Sequence, residues 1–305
     1  MGAGHDHGGG QGGGTSASRH KGSLRWALAL TGTFLVVEVV GGLWTGSLAL
    51  LADAAHMATD VGGLFMALVA VRFAERPATP RMTFGYVRTE VLSALVNAVV
   101  LLIVTVFVLR EAWARLFAPP EILGGPMLAV AVAGLIVNLI SMKMLHAGSQ
   151  ESLNLKGAYF EVLADMLGSV GVILAALVVM LTGWTIADPI IGAAIGLFIV
   201  PRTWILLKGA LNILMEGTPA HVDTELLRRR LAEIPAVTGV HDLHVWTLTS
   251  GLDAMSCHLV VDDPARGSDV LAAARKAMKE DFAITHTTIQ VEDAEAAETE
   301  DPSHM

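Results

Sequence analysis

Ala52-Asp53-Ala54-Ala55-His56-Met57-Ala58-Thr59-Asp60 lies inside a long apolar run, and so does Glu161-Val162-Leu163-Ala164-Asp165. Both runs read as helices that cross a bilayer. An ionised carboxylate at mid-bilayer costs about 2.5–3.5 kcal/mol even on the lenient insertion scale. A chain keeps such groups where they face a polar interior and act there. In each stretch the ligand-type residues are four apart, His56 with Asp60 and Glu161 with Asp165. On a helix that spacing puts both side chains on one face, about 6 Å apart along the axis. Two such faces turned together offer one imidazole and three carboxylates, a four-ligand site for a divalent cation.

Composition agrees with a membrane class. The chain has 305 residues, 53% of them apolar, and a mean hydropathy of +0.58. The apolar residues crowd before residue 210, and the last third has the composition of a soluble domain. The net charge of −9 lies mostly in that last third and argues against a nucleic-acid partner. A single cysteine, Cys257, excludes an intrachain disulfide and any multi-cysteine metal cluster within one chain. Residues 1–23 are rich in Gly and His and are expected to be a disordered tail rather than a cleaved signal. His5, His7 and His20 lie in it. They belong either to a solvated end or to a loose metal-collecting arm.

Six apolar runs follow, at 24–44, 47–73, 89–115, 126–147, 155–181 and 187–208. Each is near the roughly 20 residues that span a bilayer. Arg and Lys gather on one side: Arg19, Lys21 and Arg25 before the first run, then Arg72, Arg76, Arg81 and Arg88 around the second connection. The other side has only Arg110 and Arg115. The positive-inside rule then puts both termini in the cytoplasm, in an inner or plasma membrane. Small residues such as Gly41, Gly42, Gly168, Gly171, Gly192 and Gly196 are read as helix contacts.

A linker at 209–222 leads to an αββαβ pattern over 223–292. Asp223 is the expected N-cap of an amphipathic helix to Ile234, with Leu226, Leu227 and Leu231 on one face. Strands are expected at 240–248 and 254–261, a helix at 268–282, and a third strand at 284–291. A domain of about 70 residues has a small core and gains from pairing with a copy of itself. Residues 293–305 read as a frayed acidic tail.

The chain resembles the cation diffusion facilitator family, and most closely its zinc–cobalt–cadmium efflux branch. The likeness rests on Leu50-Leu51-Ala52-Asp53-Ala54-Ala55-His56-Met57 with Asp60, on Thr83-Phe84-Gly85-Tyr86-Val87-Arg88-Thr89-Glu90, on 155–171 around Glu161 and Asp165, and on His241-Asp242-Leu243-His244-Val245-Trp246. It runs from about residue 24 to residue 292.

The resemblance implies an α-helical membrane protein of six transmembrane helices with a small α+β ferredoxin-like cytoplasmic domain. The protein would be a homodimer that exports Zn²⁺ or a similar ion against protons. The implied transport ligands are His56, Asp60, Glu161 and Asp165. Many zinc-selective members have His where this chain has Glu161, and a carboxylate there makes the site harder, which favours Co²⁺ and Cd²⁺ as further substrates. No resident cofactor is expected, the metal being substrate and a possible regulatory ion. The connection 75–88 holds no His, Asp or Cys, so the further metal site that some members carry there is expected to be absent. In the soluble domain the resemblance points to His241, His258 and Glu292 as ligands near the dimer interface. The alternative is a pair of solvated surface histidines. Gln290 lies near a further ligand position but binds Zn²⁺ poorly. Strand alternation is expected to turn His244 to the face opposite His241, and Cys257 away from His258.

Other polar residues lie within spans. Asp53, one turn before His56, either orients that histidine or serves a proton path. Glu38 is a helix-end partner or a participant in proton traffic. Asn97 and Asn138 suit interhelical hydrogen bonds. An intramembrane metalloenzyme is disfavoured, since no span carries His-Glu-x-x-His or a Ser or Cys beside a base. A membrane-tethered metal sensor leaves the mid-membrane charges unexplained. A tight four-ligand site favours a carrier over a channel, which needs weak binding.

Overall fold

The computed structural model describes residues 21–74, 76–149, 153–249 and 251–298. His5, His7 and His20 lie outside the described residues. Six long helices come first: α1 (Lys21–Thr45), α2 (Leu48–Ala74), α3 (Thr89–Phe117), α4 (Gly124–Ser149), α5 (Leu153–Thr182) and α6 (Ala187–Leu214). By length and apolarity, α3, α4, α5 and α6 can each cross a membrane, and α1 carries a shorter apolar segment, Ala29–Thr45. The chain thus combines a helical membrane part with a small sheet domain. Two compact units divide it, residues 1–62 with 100–201, and residues 63–99 with 202–305.

In the first unit α4 packs on both α1 and α5. Its core joins Ala49 and Leu50 of α2, Met127 and Ala131 of α4, and Val172 and Ala176 of α5. Small residues permit this closeness. A Cβ on Gly192 would meet the Leu48 carbonyl carbon at 3.2 Å and the Ala49 nitrogen at 3.3 Å. Large apolar side chains such as Val36, Val40, Phe107, Leu181 and Phe198 stay exposed. Lipid tolerates them, so apolar contact between helices adds little and close packing has to hold them together.

The start of α2 is finished from elsewhere in the chain. Ser47 Oγ and the N–H groups of Leu48 and Ala49 donate to the fully buried Asp188 carboxylate of α6, at 2.5, 2.7 and 3.2 Å. Arg115 Nη1 donates to the Gly46 carbonyl at 2.5 Å and lies 4.0 Å from Asp188 Oδ2. Orphan amides at a helix start need acceptors, and Asp188 supplies them across sequence. Nothing in the sequence marks this, because the residues it joins are 141 apart.

The second unit contains α7 (Thr224–Ala232), β1 (Val237–Thr249), β2 (Leu252–Val261), α8 (Gly267–Phe282), β3 (His286–Glu292) and the short α9 (Ala294–Glu298). The sheet order is β1-β2-β3, with β1 antiparallel and β3 parallel to β2. One sheet face packs Val245, Met255, Leu259 and Val261 against Leu227 and Leu231 of α7 and Ala274 and Met278 of α8. The expected αββαβ order is found.

Several expectations are corrected. α6 runs six residues past 208, because Gly209 to Leu214 holds no helix breaker but one glycine; it stops where Glu216 takes φ +58. Asp223 does cap α7, accepting from Glu225 and Leu226 N–H at 3.0 and 3.1 Å. Leu226, however, is 56% exposed: it sits about 100° round the helix from Leu227, off the stripe that Leu227 and Leu231 form. Residues 294–298, read as frayed, make a short helix with Ala296 N–H donating to Asp293 at 2.8 Å.

Candidate metal centres

The membrane-helix cluster follows from helical spacing. His56 and Asp60 lie one turn apart on α2, and Asp165 faces them from α5. His56 Nε2 is 3.6 Å from Asp60 Oδ2 and 3.7 Å from Asp165 Oδ1. One ligand atom from each of the three lies within 4.8 Å of the others. His56 and Asp165 are buried and Asp60 is half-buried. Glu161, one turn before Asp165 and half-buried, is outside this three-residue set.

Around it runs further buried polarity. Glu38 of α1 and Asp53 of α2 are each 1% exposed and hydrogen-bonded to one another. Asp53 rests on α5 at Gly168, where a Cβ would come within 2.5 Å of Asp53 Oδ1. Glycine at 168 is what leaves room for that carboxylate. Asn138 Nδ2 donates to Ser169 Oγ at 3.3 Å, an α4–α5 bond of the expected interhelical kind. Asn97 instead packs over Gly63. A cavity of about 220 Å³ reaches from Asp53 and His56 past Gly168 to Ile195 and Ile199 of α6. Buried carboxylates and an imidazole at this separation suit a divalent cation, whose charge offsets theirs.

The sheet cluster arises differently. His241 and His258 are directly opposed in the β1–β2 register, with ring centroids 5.1 Å apart. Glu292 ends β3 on the same face. Its Oε1 lies 2.5 Å from His241 Nε2, and its Oε2 lies 3.7 Å from His258 Nδ1. Ligand atoms of the three lie within 4.8 Å of one another. Gln290 stands opposite His258 in the β2–β3 register, next to this set. Its Nε2 donates to Glu292 Oε2 at 3.0 Å and holds the carboxylate.

The expected face of His244 is wrong. The register slips between His241 and His244, so that His244 stands opposite Ser256 while His241 stands opposite His258. Ser256 and His258 share a face, so His241 and His244 do too. A β-bulge supplies the extra residue and cancels the alternation. Asp242 sits in this bulge at φ +49, a left-handed conformation that Asp tolerates better than most residues. Its carboxylate is 2.8 Å from His244 Nε2 and 3.8 Å from His258 Nε2. Sequence reasoning missed Asp242, although the His-Asp-Leu-His run put it between two histidines. Cys257 does face away and is buried. Burial pushes its thiol up to about 12, which keeps it protonated and out of metal chemistry at neutral pH.

Comparison with known proteins accords with this layout. A family model described as the cation efflux transmembrane domain matches residues 24–215, and one described as the cation efflux protein cytoplasmic domain matches 219–294. The chain is 48% identical to the metal cation efflux system protein CzcD of Cupriavidus metallidurans, over 100% of this chain and 95% of that one. It is 45% identical to the zinc transporter ZitB of Escherichia coli, over 88% of this chain and 86% of that one. It is 40% identical to a cadmium, cobalt and zinc/H(+)-K(+) antiporter of Bacillus velezensis, over 96% and 93%. A solved metal-bound C-terminal domain of the CzcD transporter from Cupriavidus metallidurans is 37% identical; it covers 23% of this chain and 99% of its own, with a TM-score of 0.22. A chain matched by both models along nearly its whole length belongs to the cation efflux, or cation diffusion facilitator, family, whose members are membrane transporters and not enzymes.

Proposed function

We propose that this protein exports divalent transition-metal cations, Zn²⁺ with Co²⁺ and Cd²⁺, from the cytoplasm in exchange for protons. It does so as a homodimer in an inner or plasma membrane, with six spans per chain and both termini cytoplasmic. One observation carries the reading: an imidazole and two carboxylates, His56, Asp60 and Asp165, converge inside helices whose outer faces suit lipid. Glu161, one turn from Asp165, completes a four-ligand set when its side chain swings to the ion. The names of two relatives, a zinc transporter and a cadmium, cobalt and zinc antiporter, support the choice of ions.

Exchange follows from the ligands. A metal takes deprotonated His and carboxylate, so protons and metal compete for the same groups. A site that opens outwards takes up protons as it releases the ion, and one that opens inwards loses them to incoming metal. The Glu38–Asp53 pair offers protons a stop next to the ligands. In the soluble domain His241, His258 and Glu292 hold a regulatory ion, whose fourth ligand is water or His5 or His7 of either chain's tail. That ion favours the paired domains by mass action.

The test uses the full-length protein in sealed vesicles with a trapped pH indicator. A Zn²⁺ gradient should drive a saturable proton flux in the opposite direction, and Asp60→Ala and Asp165→Ala should each abolish it. Metal flux without any pH change, or an unsaturable conductance, would sink the antiport reading.

A further inference from the structure

Beside the sheet of the second unit lies a cavity that neither cluster uses. It measures about 690 Å³, within the usual size of small-molecule sites. Its walls come from the 81–89 connection, from Leu92 of α3, from Leu214 and Glu216 after α6, and from His244, Trp246 and Ser256 of the sheet. Three contacts hold these walls together. Thr249 Oγ1 donates to Glu90 Oε2 at 2.7 Å, Arg88 Nη2 donates to Glu216 Oε1 at 2.8 Å, and Phe84 meets His286 edge-on at 5.5 Å.

The lining is rich in donors. Arg81 has no acidic partner among the described residues, whereas Arg88 has Glu216. The side chains of Tyr86, Trp246 and Ser256 likewise have no hydrogen-bond partner among the described residues. Residues 72–88 hold four Arg against one Glu, so the field at this connection attracts anions. The rim is apolar. Met82 and Phe84 are exposed, and Leu92, Val96 and Val99 form an exposed stripe at i, i+4 and i+7 along α3.

We infer that this cavity binds the headgroup of an anionic glycerophospholipid, with its phosphodiester on Arg81 and its acyl chains along the Leu92–Val96–Val99 stripe. A free phosphate would satisfy Arg81 but leave the apolar rim in water. A lipid matches both parts, and its phosphate carries the single charge that Arg81 offers to neutralise. The inference rests on the six-span reading, which puts the 75–88 connection at the cytoplasmic membrane surface. No metal ligand is involved, so lipid occupancy acts beside transport and not through the ion's own shell. By holding the 81–89 connection against the sheet, the lipid stabilises the second unit as a bound ligand does.

The experiment reconstitutes the full-length protein in three preparations: phosphatidylcholine vesicles, the same with one-fifth phosphatidylglycerol, and phosphatidylcholine with millimolar inorganic phosphate. Melting is followed by tryptophan fluorescence, and retained lipid by native mass spectrometry of the detergent-extracted protein. Phosphatidylglycerol should raise the melting temperature by about 5 °C and remain bound at one per chain. Arg81→Gln should lose both effects, Arg81→Lys should keep most of the shift, and Arg275→Gln at an exposed position of α8 should change neither. Absence of a shift, or a shift retained in Arg81→Gln, overturns the site. A shift reproduced by inorganic phosphate alone overturns the lipid in favour of a free anion. Zn²⁺ transport by the parent in pure phosphatidylcholine reports the proposed function separately, so a protein that transports yet retains no phosphatidylglycerol fails only this inference.

Discussion

The two candidate metal centres contrast in how they are assembled and in what surrounds them. The membrane-helix cluster has one His and two Asp, brought together by one-turn spacing on α2 and by the facing α5. The sheet cluster has two His and one Glu, brought together by cross-strand register and a bulge. The first lies among apolar side chains, where each charge depends on the others and on an ion. The second lies at a sheet face with its histidines about one-fifth exposed, where water shares the load. Losing one ligand should therefore be ruinous in the first and graded in the second. The centre proposed to release its ion every cycle is the harder, carboxylate-rich set.

Four measurements break or sharpen this contrast. The largest effect is expected for Asp60→Ala and Asp165→Ala, which should lower Zn²⁺ transport at least about 100-fold while the protein still purifies as a folded dimer. Transport at the parent rate in either variant would remove the membrane cluster from the mechanism. Next comes Gly168→Val, which drives side-chain atoms into the Asp53 carboxylate and should cut transport about 10-fold with a melting temperature lower by several degrees. If Val is tolerated, the close seat of Asp53 on α5 is dispensable. A smaller effect, roughly 2- to 5-fold, is expected of the double variant His241→Ala, His258→Ala, which should also lose most of the Zn²⁺-dependent rise in melting temperature. An unchanged rise would mean that the sheet cluster binds no metal. The smallest is a change of preference: Glu161→His should move selectivity a few-fold towards Zn²⁺ over Co²⁺ and Cd²⁺, measured as the ratio of transport rates. An unchanged ratio would leave Glu161 outside the ion's reach.

The same contrast explains what was legible beforehand. Helical periodicity is local, so spacing paired His56 with Asp60 and Glu161 with Asp165, while the apposition of α2 and α5 that brings Asp165 to His56, and leaves Glu161 outside the set, is not local; the helix bounds mostly agree within a few residues. The αββαβ order was legible for the same reason, from alternation and from Asp223. The face of His244 was not, because a bulge is a property of two strands together. The partnership of Asp242 with His258 depends on that bulge and was hidden with it. Leu226 was misassigned because three Leu in a six-residue stretch satisfy a helix stripe only approximately, and the packing of α8 chose two of them. The Asp188–Ser47 bond joins residues 141 apart and leaves no local trace.

That long reach bears on how the protein is made. The helix that carries His56 and Asp60 begins at amides whose acceptor belongs to the sixth helix of the chain. Ribosomes add about 5–20 residues per second, so roughly 7–28 s pass between synthesis of Ser47 and of Asp188. Through that interval the first turn of α2 lacks the acceptor that Ser47, Leu48 and Ala49 use in the folded chain. The arrival of Asp188 is thus a late step in assembly: a chain truncated before residue 188 has five of its six long helices and still lacks the bond that finishes the start of the helix carrying His56 and Asp60.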